Sequence, residues 1–217
     1  MLPTHDEKQT NPLLVYDFEK TFGSNVWGAL KSHIDSEDWT NLGGLVTRQF
    51  KEDDWTSGDR QTKRKIMSLV MLDFVVVFTK KVKNGKIYKF KPDVSMADLA
   101  EQMNAPPLVL NKIFETFGAK SPDSKNFMFS KQLHQKRTIF TLLFLLNGAR
   151  ETAVAKGGED KIAITDCSSL LGAIQVEGKE ASEVMRTAGV VVKRGGGKVG
   201  MSLKAPVEFP QMKRARR

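Results

Sequence analysis

The sequence contains little of what catalytic and metal-binding sites are usually built from. Its 217 residues include a single cysteine, Cys167, and three histidines, His5, His33 and His134. One cysteine excludes an intramolecular disulfide and a cysteine-based zinc finger, and no two of these four residues stand at metal-ligand spacing. Neither G-x-S-x-G nor H-E-x-x-H occurs. We therefore predict a protein that is not an enzyme and that uses no metal or cofactor.

Cys167 and His134 each allow two interpretations. Cys167 follows Asp166, a predicted helix N-cap, and a helix N-terminus can lower the pKa of a thiol. We favour the alternative, in which Cys167 is a small, partly buried side chain. His134 stands among polar residues at the start of a predicted helix, so we interpret it as an ordinary surface histidine and not as a ligand.

Long apolar runs are also scarce. The longest, IMSLVMLDFVVVF at 66–78, is interrupted by Asp73 and is shorter than the roughly 20 residues that a membrane span needs. The N-terminus lacks the charged-then-apolar pattern of a secretory signal. We expect a soluble, intracellular protein that does not associate with membranes.

Charge is abundant but unevenly placed. The formal net charge is +9. Residues 1–60 hold 6 Lys/Arg against 11 Asp/Glu, residues 61–176 hold 18 against 10, and residues 177–217 hold 10 against 4. The N-terminal part is acidic and the rest of the chain is basic. This distribution predicts that the N-terminal part contacts protein while the basic remainder contacts a polyanion. The alternative is that the basic end serves only solubility.

The N-terminal part of the chain is acidic and only weakly periodic. We interpret residues 1–56 as an N-terminal linker with short helices that lies on another body. Ser24 is the predicted N-cap of one of these helices, and Trp39 and Trp55 are predicted anchors.

Residues 57–131 show a clearer pattern of elements. A buried helix is predicted from RQTKRKIMSLVMLDFVVVFTKKV, although its three consecutive valines leave the C-terminal end open, and a strand from GKIYKFKP. Two short helices follow, the first capped by Ser95 with Asp98 and the second ended by Gly118. AKSPDSKNFMFSK then indicates a hairpin. This is the element order of a winged helix-turn-helix domain.

The same order recurs further along the chain. The shift that places Leu99 on Leu170, which we call the repeat offset, also places apolar or identical residues on one another in both short helices. The matched pairs are Leu99 with Leu170, Met103 with Ile174, Ile113 with Val184, Phe114 with Met185, Thr116 with Thr187 and Gly118 with Gly189. We predict a mostly α protein with small β-hairpins (α+β), with winged-helix domains at 57–131 and 132–206 and a basic tail at 207–217.

The glycine-rich segment near the C-terminus allows two interpretations. VVVKRGGGKVGMSLKAPVEFPQMKRARR, residues 190–217, could hold a phosphate loop or a charged hairpin. Val199 stands where a phosphate loop needs Ser or Thr after Lys198, and two nearby prolines prevent the helix that must follow. Gly195, Gly196 and Gly197 therefore favour a tight hairpin turn.

These features predict contact with the backbone of double-stranded DNA. In a winged helix the last helix crosses the major groove, and the hairpin tip reaches the backbone or the minor groove. The candidate residues of the second unit are Lys179, Arg186, Lys193, Arg194, Lys198, Lys204, Lys213, Arg214, Arg216 and Arg217; those of the first are Asn111, Lys112, Lys120, Lys125 and Lys131. Glu180 and Glu183 would repel phosphate, so we expect little sequence preference and a steep salt dependence.

An N-terminal LP followed by VYDFEKTFG, two predicted winged helices, and a final LKAPVEFPQMKRARR resemble the C-terminal half of the A-forty-nine subunit family of RNA polymerase I. The family's second winged helix leads into an Ala-Pro-x-x-Phe-Pro-like segment and a basic tail. The matching residues here are Leu203, Ala205, Pro206, Phe209 and Pro210.

The resemblance implies a nuclear, nucleolar protein that binds DNA upstream of the polymerase active centre. It further implies support of initiation and elongation on ribosomal RNA genes, through a tandem unit similar to that of the beta chain of transcription factor E. The acidic, Trp-bearing linker would dock on other polymerase I subunits. The family's N-terminal dimerisation module, similar to transcription factor F, has no counterpart here, so this chain is expected to be a fragment or a shortened member. The alternatives are a winged-helix module for protein assembly and a general transcription factor subunit like transcription factor E.

Overall fold

The protein is a mixed α+β chain, which confirms the predicted fold class at that level. The computed structural model describes residues 2–36, 60–81, 88–90, 95–120, 127–148 and 161–210. Within these residues, helices alternate with short antiparallel strands.

The N-terminal segment, residues 2–36, folds into a small strand pair and helices. Its elements are β1 (Thr4–His5), a 3₁₀ turn (Pro12–Leu14), β2 (Tyr16–Asp17), α1 (Phe18–Phe22) and α2 (Ser24–Asp35). Asp17 caps α1 through its carboxylate, which accepts from the amide of Lys20 at 2.9 Å. The prediction of Ser24 as an N-cap is wrong: Gly23, at φ 95°, both ends α1 and precedes α2, so Ser24 is already helical.

Two units with the same order of elements follow. The first contains α3 (Arg60–Lys81), β3 (Tyr88–Phe90), α4 (Met96–Gln102), α5 (Pro107–Phe117), β4 (Ala119–Lys120) and β5 (Phe127–Phe129). The second contains α6 (Lys131–Gly148), β6 (Lys161–Ile164), α7 (Ser168–Ala173), α8 (Gly178–Arg186), β7 (Val191–Gly195) and β8 (Lys198–Lys204). In both antiparallel sheets the last strand lies in the middle, in the orders β3-β5-β4 and β6-β8-β7.

The backbone repeats at the predicted offset. The first residues of α3 and α6, of α5 and α8, and of β5 and β8 are all separated by the repeat offset. The same offset relates Asn104 to Gln175, the two non-glycine residues of the described chain with positive φ, at 46° and 55°. Each lies in the turn between the two short helices of its unit. The repeat therefore extends from apolar spacing to the detailed geometry of a turn.

Local capping signals predict some of the helix ends correctly. Ser95 and Asp98 form the capping box at the start of α4, with bonds of 3.1 and 3.2 Å. Gly118 ends α5, as predicted. At α7 the N-cap is Cys167 and not Asp166, although the carboxylate of Asp166 accepts from the amide of Ser168 at 2.9 Å. α3 runs to Lys81, so its three consecutive valines are helical.

The core lies between the first helices of the two units. α3 and α6 pack closely along each other, and a side chain at Gly148 would collide with Leu69. Because Leu69 is fully buried, glycine at this position allows the close approach of α6 to α3 without a shift of that side chain. From Ile66 in α3 and from Arg137 in α6, both helices are buried on nearly all sides, so the two units share one continuous core.

The N-terminal segment belongs to the same core. The ring of Phe18 lies 4.4 Å from that of Phe144, and the ring of Phe22 lies 5.7 Å from that of Phe140, both on α6. Trp27 is buried as well. Residues 2–36 are therefore part of this core and do not form an extended linker, whereas their docking on another protein stays a prediction. Trp39 and Trp55 lie outside the described residues.

The segment after β8 closes back on the N-terminus. The ring of Phe209 lies 4.9 Å from that of His5. Val207 is buried against Gly189, whose φ of 65° and lack of a side chain both suit the contact. The residues that carry the family resemblance thus connect the second unit to the N-terminal segment. Among the described helices, none is both long enough and apolar enough to cross a bilayer.

Candidate nucleic-acid interface

The glycine-rich segment forms a two-residue hairpin, which confirms that interpretation over the phosphate loop. β7 and β8 pair antiparallel with Gly195 opposite Lys198. Gly196 and Gly197 close the turn at φ 58° and 76°, positions that a side chain would strain. Lys193, Arg194 and Lys198 are exposed around the tip.

The tip end of this hairpin is bonded to the start of α7 through Val199, which is paired with Arg194 next to the turn. The amide and the thiol of Cys167 both donate to the carbonyl of Val199, at 2.7 and 3.1 Å. The Val199 amide donates to the hydroxyl of Ser168 at 3.1 Å, and that hydroxyl donates to Asp166 at 2.6 Å. The hairpin is therefore held in a defined position against the helices of its unit.

Cys167 is buried, and its two hydrogen bonds to Val199 help to hold the hairpin. Burial first, and the charge of Asp166 second, raise the pKa of its thiol to about 11. We expect iodoacetamide at pH 8 to alkylate Cys167 in the native protein on the order of 100-fold more slowly than in urea, because so little thiolate is present. Mass spectrometry of timed samples measures both rates. Equal rates would mean that burial does not suppress the thiolate, and a faster rate in the native protein would mean that the helix N-terminus activates it.

α8 lies directly against the hairpin. A side chain at Gly178 would meet Val199 at 3.1 Å and the Cδ of Arg194 at 3.4 Å, so the aliphatic stem of Arg194 crosses the first turn of the helix. Lys179, Glu183 and Arg186 are exposed at spacings of four and three residues, which places them in one stripe.

Helix and hairpin together present one basic surface. We call Lys179, Arg186, Lys193, Arg194 and Lys198 the α8–hairpin surface. All five are exposed, and the described ion pairs involve none of them. Two acids moderate its charge, Glu183 within the stripe and Asp166 near Lys198. Hydrogen bonds from Ser168 are the main cause of the lowered pKa of Asp166, and the charge of Lys198 makes a smaller contribution.

The other predicted residues that the structure describes lie at other places in the fold. Lys204 is exposed at the other end of β8, about 20 Å from Lys198 at the usual rise of a strand. Asn111 and Lys131 are exposed in the first unit and at the start of α6. Lys112 is half-buried and paired with Glu115 at 3.5 Å. Lys120 lies in β4, where the structure describes its backbone and not its side chain.

Five candidates lie outside the described residues altogether. They are Lys125, Lys213, Arg214, Arg216 and Arg217. Their role stays a prediction.

The interpretation of His134 as a surface histidine is wrong. Its polar neighbours in the sequence predict a surface histidine, but its side chain is only 13% exposed and lies between α6 and α8. Its Nε2 faces the carboxylate of Glu180 at 3.5 Å. No signal in the sequence pairs these two residues, which stand far apart in the chain.

One cavity of about 550 Å³ lies elsewhere, between the N-terminal segment and the start of α3. Its wall mixes acids such as Asp17 and Glu19 with Arg64 and Lys65. It therefore presents no single sign of charge that would select a polyanion. Across the described ranges, histidines, cysteines and carboxylates form no group that could hold a metal ion.

Neither a scan against protein-family models nor a search of curated proteins finds a match to this chain. The family resemblance therefore rests on the sequence features described above.

Proposed function

We propose that this chain is a non-catalytic, DNA-binding subunit of RNA polymerase I built on two tandem winged-helix domains. It acts in the nucleolus, in initiation and elongation on ribosomal RNA genes, and associates with the other polymerase subunits. The observation that carries the DNA-binding part is the α8–hairpin surface, on which five exposed cations converge from one helix and one hairpin. The resemblance to the A-forty-nine family supports the rest.

The element order and the sheet order of each unit support the winged-helix assignment. In such domains the last helix and the hairpin reach DNA together. Here the stem of Arg194 lies across the first turn of α8, so helix and hairpin form one continuous face. The face offers lysine and arginine and no asparagine or glutamine, which suits contact with phosphates more than readout of bases.

The two units are not equivalent in charge. At the repeat offset, the exposed stripe of α8 corresponds to Leu108, Lys112 and Glu115 on α5. Leu108 is 46% exposed, and Lys112 is neutralised by Glu115. This difference supports DNA contact by the second unit and protein contact by the first. Protein assembly alone is the second candidate function.

A gel-shift titration with a random 30-base-pair duplex at 50 and 200 mM salt tests the proposal. We expect binding that weakens by at least tenfold between the two salt concentrations, because a backbone contact releases counterions. No shift at 50 mM salt would overturn the DNA-binding function and favour the assembly module. An affinity that does not change with salt concentration would contradict the proposed phosphate contacts.

A further inference from the structure

The side chain of His134 connects two helices through two different partners. Its Nδ1 lies 3.0 Å from Nη2 of Arg137, one turn further along α6, and its Nε2 lies 3.5 Å from Oε1 of Glu180 on α8. Arg137 is itself buried, with its guanidinium 5.8 Å from the centre of the Phe78 ring on α3. The imidazole is therefore held in one orientation from the core side.

These contacts determine which nitrogen carries the proton. A guanidinium offers only donors, so Nδ1 of His134 accepts from Arg137 and the proton of the neutral ring lies on Nε2. Nε2 carries this proton 3.5 Å from Oε1 of the Glu180 carboxylate, which is an acceptor. Burial first and the nearby Arg137 second lower the pKa of His134, while Glu180 opposes them, so the neutral ring is the stable form at neutral pH.

Glu180 stands beside the DNA-facing stripe of α8 and not within it. At about 100° per residue, Lys179, Glu183 and Arg186 point outward, Gly178 points to one side, and Glu180 points to the other. Gly178 meets the hairpin, whereas Glu180 meets α6. The carboxylate is still one-third exposed, so a change of rotamer suffices to turn it toward the stripe.

The contact is confined to the second unit. At the repeat offset, His134 corresponds to Lys63, which is exposed on α3, and Glu180 corresponds to Val109, which is fully buried on α5. The first unit thus has a hydrophobic side chain where the second has Glu180. The carboxylate is consequently not a requirement of the repeated fold.

We propose that His134 is a positioning residue for the α8–hairpin surface: it holds the Glu180 carboxylate against α6 and away from the phosphates that this surface meets. The inference rests on the proposed DNA-binding function. Without His134, Glu180 turns toward the stripe and cancels roughly one phosphate contact.

A double-mutant cycle tests this role. We expect His134→Leu to weaken binding of a random 30-base-pair duplex about fivefold at 0.15 M salt, the value of about one phosphate contact. Glu180→Gln should leave the affinity of the wild type within about twofold but restore the fivefold loss in the His134→Leu background. His134→Gln, whose amide can still donate to Glu180, should bind like the wild type.

Glu183→Gln is the matched control, because Glu183 is an exposed acid on the same helix that takes part in none of the described ion pairs. It should strengthen binding by the same factor with or without His134. Equal effects of Glu180→Gln in both backgrounds would overturn the positioning role and leave the proposed function intact.

A measurement on the protein without DNA further separates the positioning role of His134 from the proposed DNA-binding function. ¹⁵N NMR of the imidazole should show the neutral ring protonated at Nε2, and Glu180→Gln should shift its titration to lower pH because a stabilising negative charge is removed. A titration unaffected by Glu180→Gln would overturn the inference, whether or not DNA binds. If the NMR result holds and the wild type binds no DNA, the proposed function fails, and the positioning of this surface for phosphates fails with it.

Discussion

Replacing Lys193, Arg194 and Lys198 together by alanine should weaken duplex binding on the order of 100-fold at 0.15 M salt. Each phosphate contact contributes about 0.9 to the slope of log K against log salt, so three lost contacts should flatten that slope by about 2.7. All three side chains are exposed at the hairpin tip, where no described ion pair engages them. Fluorescence anisotropy with a labelled duplex across a salt series measures both quantities.

The control for this variant must remove the same charge elsewhere. Lys8, Lys20 and Lys31 are exposed on the N-terminal segment, and their replacement by alanine lowers the net charge by the same three units. If long-range attraction by net charge were the whole effect, the two triple variants would bind alike. We expect the control to lose less than about threefold.

Arg194 needs one further variant, because its stem packs across Gly178. Arg194→Gln keeps part of that stem while removing the charge. Loss of affinity with an unchanged melting temperature would assign the effect to charge. Unchanged affinity in the triple variant would remove the hairpin from the proposed interface.

Much of the repeat can be predicted because its signals are local. The capping box at Ser95 and Asp98, the glycine at position 118, and the apolar spacing of the short helices each lie within a few residues along the chain. Such signals act through neighbouring backbone amides and one helix face, so a single sequence contains them in full. The repeat offset then emerges when the two sets of local signals are compared with each other.

The wrong interpretation of His134 and the unforeseen packing of the N-terminal segment concern places where distant residues meet. Nothing near Phe18 indicates that it lies on Phe144, and nothing near His134 indicates Glu180. These contacts depend on how the helices pack against one another. Amphipathic spacing shows which face of a helix is buried, but not which helix covers that face. Lys204 is close to Lys198 in sequence, but the extended strand between them places it at the other end of β8, and its contact with DNA stays a prediction.

The largest effect on stability is expected from Phe22→Ala in the N-terminal segment. Phe22 is 2% exposed, and its ring packs against Phe140 and Phe144 of α6 at 5.7 and 5.9 Å. Truncation of a buried phenylalanine leaves a cavity that the surrounding helices fill only partly. The free energy of unfolding should therefore fall by about 3–5 kcal/mol, measured by urea denaturation followed by circular dichroism.

Leu14→Ala offers a comparison on the same segment, because Leu14 is 37% exposed and should cost at most about 1 kcal/mol. If residues 2–36 were a separate linker, Phe22→Ala would leave the main transition of α3 and α6 at the wild-type urea concentration. A shifted single transition with an unchanged m-value instead means that the segment unfolds together with both units. Phe22 then stabilises the same core that holds α6, and with it His134 and the helix that faces the proposed DNA.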